Sequence, residues 1–433
     1  MDNPKPLVSI FSVVKNRAYT IRRCVESVLS QDYSNIEFII QDGASTDGTL
    51  AILQDYATKY PQAIKLVSQP DASAEEGFFR ALRRCTGEII GSCLSDEELL
   101  PQAVGWAADN MSQYPEVAAI YGDCHISDLE GNITHSIESR PFSMAAYLCH
   151  EVVPPFAASF FRRSCLEQIG LSENQWLHGV GEFELWVKLG IKYPILYVPG
   201  FVAKFGVHPG SNTAKPSIIL ELISPRVKMM GQLFNDSTTP AEIRSLEPRA
   251  YAGLHLWVTE GMIGMNELAE AKSQIMQALR YQPDPERLAA LMEHLSQRGV
   301  NLGEVYTKAL DLFSYTPEEL KQKGLIYYER GDLSSAALFL EKASEHFPRD
   351  VELLLNLGAI YYDLQRFSEA LKWFKQATQF NPANPGAWVG MAATADRLGD
   401  QDIFQWAFQQ ARSLSPNHPV VVDLAKRYHP SYG

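Results

Sequence analysis

A 34-residue period in the carboxy-terminal part constrains this chain more than any other feature. Pro348, Pro382 and Pro416 are 34 residues apart, and the same step links Gly324, Gly358 and Ala392. It also links Ala343, Ala377 and Ala411, then Leu340, Phe374 and Phe408, then Tyr327, Tyr361 and Ala395. An ordinary helical bundle has no reason to keep five positions in register. The period predicts three helix pairs, at 317–350, 351–384 and 385–418, with a capping helix around Val421–Tyr428. Small residues let the paired helices approach, and each pair buries its apolar face on the next. A weaker copy precedes them, where Ala271, Ala278 and Pro283 keep the spacing without the Gly and Tyr of the first helix.

The first half follows a different rule. Apolar, β-rich runs at Leu7–Val14, Ile36–Ile40, Ile64–Ser68 and Glu88–Cys93 alternate with helical stretches at Ala18–Ser30, Thr49–Tyr60 and Glu75–Arg84. Such alternation implies crossover connections and a mostly parallel sheet. Further strands are expected at Val117–Tyr121, Phe156–Phe161 and Ile195–Val198. The second half resembles the tetratricopeptide repeat, with its small residue on the first helix, Ala and aromatic positions on the second, and Pro after it. The chain therefore reads as an α/β domain at 1–225, a junction at 226–250 and an all-α solenoid at 251–433.

Composition narrows the function. With 38 basic against 51 acidic residues, a formal charge of −13, the chain lacks the basic field of a nucleic-acid binder. The six cysteines include no C-x-x-C pair and read as buried, reduced thiols. The first residues lack a signal-peptide pattern, and no run of 18 apolar residues occurs. A cytoplasmic protein, peripheral to a membrane at most, is expected.

In an open parallel sheet, ligands bind beyond the carboxyl ends of the strands. Those ends carry Asn16, Asp42, Asp71 and the run Ser95-Asp96-Glu97-Glu98. Such a rim suits a divalent cation and the hydroxyls or imide of a nucleotide. Walker, dinucleotide-fold, zinc-protease and nucleophile-elbow signatures are absent, and Lys15-Asn16-Arg17 lacks the glycines of a nucleotidyltransferase loop.

Several segments, in order, resemble family 2 glycosyltransferases of GT-A fold. They are Val8–Asn16, the helix with Glu26-Ser27-Val28-Leu29-Ser30-Gln31, and Asp42-Gly43-Ala44-Ser45-Thr46-Asp47-Gly48-Thr49. Thr86-Gly87-Glu88, Ser95-Asp96-Glu97, Gly181–Leu189 and His208–Thr213 complete the set. The resemblance implies a Rossmann-like nucleotide-diphospho-sugar transferase domain in which Asp42 meets the nucleotide base and Asn16 and Asp71 line its pocket. It implies that Asp96 contacts ribose or metal and that Glu97, with Asp96 and His208, holds Mg²⁺ or Mn²⁺. Glu182 would be the general base toward a hydroxyl on a glycan, lipid or protein acceptor. In the repeats, Tyr328, Glu329, Tyr362, Asp363, Asp396 and Arg397 would face a concave side that takes a protein partner.

Structural readings stand beside these. Asp42 and Asp47 suit an Asx-turn and a helix N-cap, Asp96–Glu98 suit helix-start acids, Glu182 a solvated helix residue and His208 a turn. The chain also departs from the family pattern, with Glu97 and Glu182 for Asp, Phe79 for a frequent Asn, Ala81 for a frequent Gly and Lys15 for a common Tyr. An added methylene displaces each carboxylate, which makes a non-catalytic adaptor the competing reading.

Overall fold

The computed structural model describes residues 5–170, 181–207 and 215–428, which form two compact units, Met1–Asp284 and Pro285–Gly433. The first holds one mixed sheet of strands β1 (Val8–Val14), β2 (Ile36–Asp42), β3 (Ile64–Ser68), β4 (Ile89–Ser92), β5 (Glu97–Leu99), β6 (Ala119–Ser127), β7 (Ile133–Ile137), β8 (Ser159–Arg162) and β9 (Ile195–Gly206). Their order is β3-β2-β1-β4-β8-β6-β9-β5, with β7 paired to β6. The half β3-β2-β1-β4 is parallel, with Val14 opposite Asp42 and Asp42 opposite Ser68. Helices α1 (Ile21–Leu29), α2 (Thr49–Lys59) and α3 (Ala74–Arg83) make its crossovers. Strands β1 and β2 are buried along almost their whole length, which explains their continuous apolar runs.

The other half departs from the expected parallel pattern. Strand β8 runs antiparallel to β4 and β6, and β5 runs antiparallel to β9. The runs at Phe156–Phe161 and Ile195–Val198 are also bounded differently. Phe156–Ala158 forms a 3₁₀ turn before β8, while β9 continues through Pro199-Gly200 to Gly206. Gly200, at φ +141°, sits where the β6–β9 register shifts, and Asp123 fixes this bulge by accepting from Gly200 N–H (2.9 Å) and Tyr197 O–H (2.8 Å). A Pro-Gly pair inside a strand reads as a turn unless a bulge absorbs it.

The unit continues through α4 (Ala103–Gln113), α5 (Met144–Leu148), α6 (Arg163–Gln168), α7 (Gly181–Lys192), α8 (Pro216–Glu221), α9 (Ile223–Asn235), α10 (Ala241–Arg244), α11 (Glu247–Gly264) and α12 (Leu268–Ala278). In α11, Gly253 lies so close to the Cys149 carbonyl that a Cβ there would clash with backbone. Among the described residues, no helix is long and apolar enough to cross a membrane.

Glu37, on buried β2, ties the parallel strands together. It accepts from Ser9 Oγ (2.5 Å), Thr86 N–H (2.6 Å) and Thr86 Oγ1 (2.9 Å), and pairs with Lys65. The Thr86-Gly87 motif is thus a latch between β1, β2 and the start of β4.

The second unit is helical: α13 (Pro285–Gln297), α14 (Gly303–Ala309), then pairs α15/α16 (Pro317–Glu329, Leu333–His346), α17/α18 (Val351–Asp363, Phe367–Phe380) and α19/α20 (Pro385–Leu398, Gln401–Leu414), then α21 (Pro419–Tyr428). The period now has a contact. A Cβ at Gly324 would lie 2.5 Å from Leu340, and one at Gly358 2.6 Å from Phe374. Phe374 also presses on Gly390 of the following pair, so one ring spans two repeats. Asp332, Asp350, Asn384 and Asp400 cap their helices through side-chain acceptors.

Two outcomes follow from these contacts. Phe374→Ala is expected to destabilise the repeats by about 3–5 kcal/mol, read as a lower urea midpoint. Burial alone would raise the Glu37 pKa, but bonds from Lys65, Ser9 and Thr86 outweigh it and hold the carboxyl down at about 2, against its ordinary 4.5. A depressed carboxylate stabilises the fold above its unfolded pKa, and that stability is lost as pH falls through the folded value. Glu37→Gln should therefore lower stability at pH 7 by roughly 1–3 kcal/mol and flatten the stability–pH slope between 4.5 and 2. Urea unfolding across that window checks both.

Candidate active site

Parallel register brings the ends of β1, β2 and β3 to one rim, where two loops are stitched together. Asn16, in the left-handed region at φ +54°, accepts from Thr46 N–H through Oδ1 (2.8 Å), and its own N–H donates to Ser45 Oγ (2.8 Å). Asp47 accepts from Thr49 N–H (3.0 Å) and Ala18 N–H (3.1 Å), so its work is structural.

Asp42, the last residue of β2, is wholly buried. Its Oδ2 accepts from Ser68 Oγ (2.6 Å) and Ser45 N–H (3.1 Å), while Oδ1 is buried with no hydrogen-bond partner. An orphaned buried acceptor costs about 1–3 kcal/mol unless a donor arrives. Gln41 Oε1 is orphaned in the same way, and Gln41 Nε2 donates to Asp71 Oδ1 (3.4 Å). Asp71 is paired with Arg80 (2.5 Å). A Cβ at Gly77 would sit 2.8 Å from Asp71 Oδ2, and one at Gly43 3.4 Å from it, so both glycines make room for that carboxylate. Asp42 and Asp71 therefore share one recess, with Lys15 against Gly43.

A second group of carboxylates follows β4. Here a strand begins at Glu97, not a helix, because β5 pairs with β9. Glu98 turns aside to Arg23 (3.0 Å) and Lys204 (3.2 Å). Glu97 is buried, and its Oε2 accepts from Leu94 N–H (2.7 Å). Burial pushes its carboxyl up to about 8; Leu94 N–H opposes this, and the charges of Asp96 and Glu182 add to it. Residues 85 positions apart in sequence thus act on each other directly.

Glu182 opens α7, where the helix dipole favours an anion. Its side chain is open to solvent while protein surrounds it otherwise, and desolvation lifts its carboxyl to about 7 against the opposing pull of Arg226 and Trp186. Sequence reasoning missed Tyr147 and Arg226, which bear on this carboxylate, and Trp257, whose ring lies 4.4 Å from the Arg226 guanidinium, on helices whose spacing carries no motif. His208 lies outside the described residues.

Two carboxylates fit a divalent ion of the kind that completes its shell with water and substrate phosphates. Among the described residues no group of three or more His, Cys, Asp or Glu side chains could hold a metal unaided. Glu97, raised by burial and to a lesser degree by like charges, is the kind of donor that a cation would stabilise.

The repeat residues gather elsewhere. Tyr328, Tyr362, Asp363, Asp396 and Arg397 line one groove of about 590 Å³ in the second unit. Arg397 stacks over Phe367 (5.1 Å), and Asp396 accepts from Arg427 (3.0 Å) of α21.

A sheet with carboxylates at its strand ends, followed by stacked helix pairs, defines the class. Residues 9–170 match glycosyl transferase family 2, and residues 321–385 match the tetratricopeptide repeat. The chain is 30% identical over 216 residues to the chondroitin synthase of Escherichia coli, covering 48% of this chain and 30% of that protein. It is 36% identical over 101 residues to the putative glycosyltransferase EpsE of Bacillus subtilis, covering 23% of this chain and 36% of that protein. The chain thus spans about a third of the length of these relatives. Among solved structures it is similar to S. aureus TarS 1–349 in complex with UDP-GlcNAc, at 14% identity and a TM-score of 0.48, over 79% of this chain and 92% of that one. The mannosyltransferase PcManGT from Pyrobaculum calidifontis, in complex with GDP-Man and Mn²⁺, gives 19% identity and a TM-score of 0.44, over 77% and 86%.

Proposed function

We propose that the chain is a metal-dependent, inverting glycosyltransferase that moves a sugar from a nucleotide-diphosphate donor to a hydroxyl acceptor. The observation that carries this reading is the recess at the strand ends, where Asp42 keeps an unpartnered buried Oδ1 beside Asp71, with buried Glu97 after the next strand. The recess at Asp42 and Asp71 takes the nucleotide base, whose N–H groups suit the orphaned Asp42 Oδ1. Asn16 lines its entrance, and Asp96 faces the ribose. Mg²⁺ or Mn²⁺, held by Asp96 and Glu97 with His208 as a further candidate, would supply neutralisation of charge on the leaving diphosphate. Glu182 takes the proton from the acceptor hydroxyl as that oxygen bonds to the anomeric carbon and the bond to diphosphate breaks. Because attack and departure lie on opposite faces, the configuration inverts. A carboxyl near 7 is well matched to this exchange around neutral pH.

The acceptor is a glycan, lipid or protein hydroxyl, and the synthases among the relatives favour a growing polysaccharide. The repeat groove takes a protein partner, with Tyr328, Tyr362, Asp363 and Arg397 at the contact. Six buried, unbridged cysteines support a reducing, cytoplasmic setting, with peripheral attachment at most.

A panel of UDP-, GDP- and dTDP-sugars with Mn²⁺ tests the proposal by following release of nucleotide diphosphate. Glu182→Gln is expected to lower kcat by about 10²–10⁴ with donor binding retained, and Glu97→Ala to abolish the metal dependence of donor binding. Wild-type turnover in both variants would reject the assignment.

A further inference from the structure

The groove in the repeat unit has a charge pattern of its own. Its charged lining consists of Asp363, Asp396, Arg397, Asp423 and Arg427. Three of these are committed to one another. Arg427, on α21, pairs with Asp396 of α19 (3.0 Å) and with Asp423 one turn earlier on its own helix (2.6 Å). This triad fastens the capping helix against the groove and takes two carboxylates and a cation out of recognition. Asp363 and Arg397 remain. Both are exposed, and neither has an ion pair among the described residues.

The period fixes where these two charges stand. Asp363 ends α17, and Arg397, near the end of α19, is the equivalent residue of the next repeat. The two helices are in contact. At the usual helix spacing their axes lie roughly 10 Å apart, which an extended chain spans in about three residues. Arg397 is also oriented. Its guanidinium lies over the Phe367 ring (5.1 Å), and that ring meets Tyr362 edge to face (5.3 Å). A guanidinium stacked in this way keeps its in-plane N–H groups for a bidentate acceptor. The lining also includes Ala359, Gly390 and Ala393, whose small size leaves room for apolar side chains within about 590 Å³. A helix covering the same span would be a cylinder of about 800 Å³, larger than this groove.

Resting on the reading of this groove as a partner site, we propose that it takes an extended peptide segment of mixed charge. The segment carries one basic and one acidic residue about three positions apart, flanking an apolar pair. Asp363 meets the basic side chain, Arg397 meets the carboxylate, and the apolar pair enters the groove. The pattern of signs selects the partner, and its net charge does not. A uniformly basic segment is repelled by Arg397, and a uniformly acidic one by Asp363.

The test is fluorescence anisotropy of the full chain with labelled, end-blocked hexapeptide pools. The pools carry Arg-x-x-Asp, Arg-x-x-Arg or Asp-x-x-Asp, with x drawn from Ala, Val and Leu. Wild type should bind the mixed pool about five- to tenfold tighter than either like-charged pool, the effect of two exposed ion pairs. That advantage should fade at about 1 M salt, where charges are screened within about 3 Å. Asp363→Arg should make Asp-x-x-Asp the tightest pool, and Arg397→Asp should do the same for Arg-x-x-Arg. Both positions are exposed, so neither reversal disturbs the core. Lys372→Glu, an exposed charge outside the groove lining, should leave the order of the pools unchanged. Equal binding of all pools to wild type overturns the proposal and leaves the groove as a partner site. Absence of binding by every pool overturns both. An order that ignores either reversal in the groove, or that also shifts with Lys372→Glu, overturns the proposal as well.

Discussion

Two carboxylates far apart in the sequence are brought together at one rim of this fold, one of them, Glu97, buried. Glu97 and Glu182 belong to segments that meet only because the sheet and α7 bring them together, and each is lifted well above the ordinary carboxylate range. Such an arrangement works against folding, since like charges in a low-dielectric environment favour expansion or protonation. The rest of the structure has to hold them in place. Glu98 does so by anchoring to Arg23 and Lys204, which pins β5 in register next to its strained neighbour. On the parallel half, Glu37 gathers Ser9, Lys65 and Thr86 at the amino-terminal ends of the strands, the side away from the rim. Stable structure elsewhere thus maintains unfavourable electrostatics at the rim, the usual relation between a scaffold and a reactive site.

The parts of this architecture that are legible in the sequence are those with a physical period. The 34-residue step is visible because Gly324 and Gly358 must admit Leu340 and Phe374 at the same place in successive pairs. Strands β1 and β2 are visible because burial on both faces leaves no polar alternation to confuse the pattern. The antiparallel half is not, because β5 is three residues long and β9 passes through a Pro-Gly bulge. In the candidate site, strand-end position draws attention to Asp42, Asp71, Asp96 and Glu97, and a resemblance to a family pattern to Glu182. Arg226 and Trp257 escape detection since their partnership depends on helix packing, which leaves no mark at fixed spacing.

The rim also divides its tasks by chemistry. Asp42 is neighboured by neutral donors and has one acceptor to spare, a condition that selects a ligand N–H without needing charge. Asp71 is already paired with Arg80, so its effect is to shape and hold the recess. After β4, Glu97 is buried and its carboxylate accepts from the Leu94 backbone N–H. An unpartnered acceptor and a buried, raised carboxyl thus lie on consecutive strand ends.

The two departures from Asp acquire a specific meaning in this geometry. A longer side chain ordinarily gives a carboxylate more freedom and a poorer position. At Glu97 the added methylene lets Oε2 reach back to the Leu94 N–H three residues earlier, so the turn itself fixes the group. At Glu182 the side chain emerges from the first turn of α7 into a space bounded by Phe183, Trp186 and Arg226. Both replacements retain the charge and move it by about one bond length, and at Glu97 the Leu94 N–H takes up the displaced oxygen.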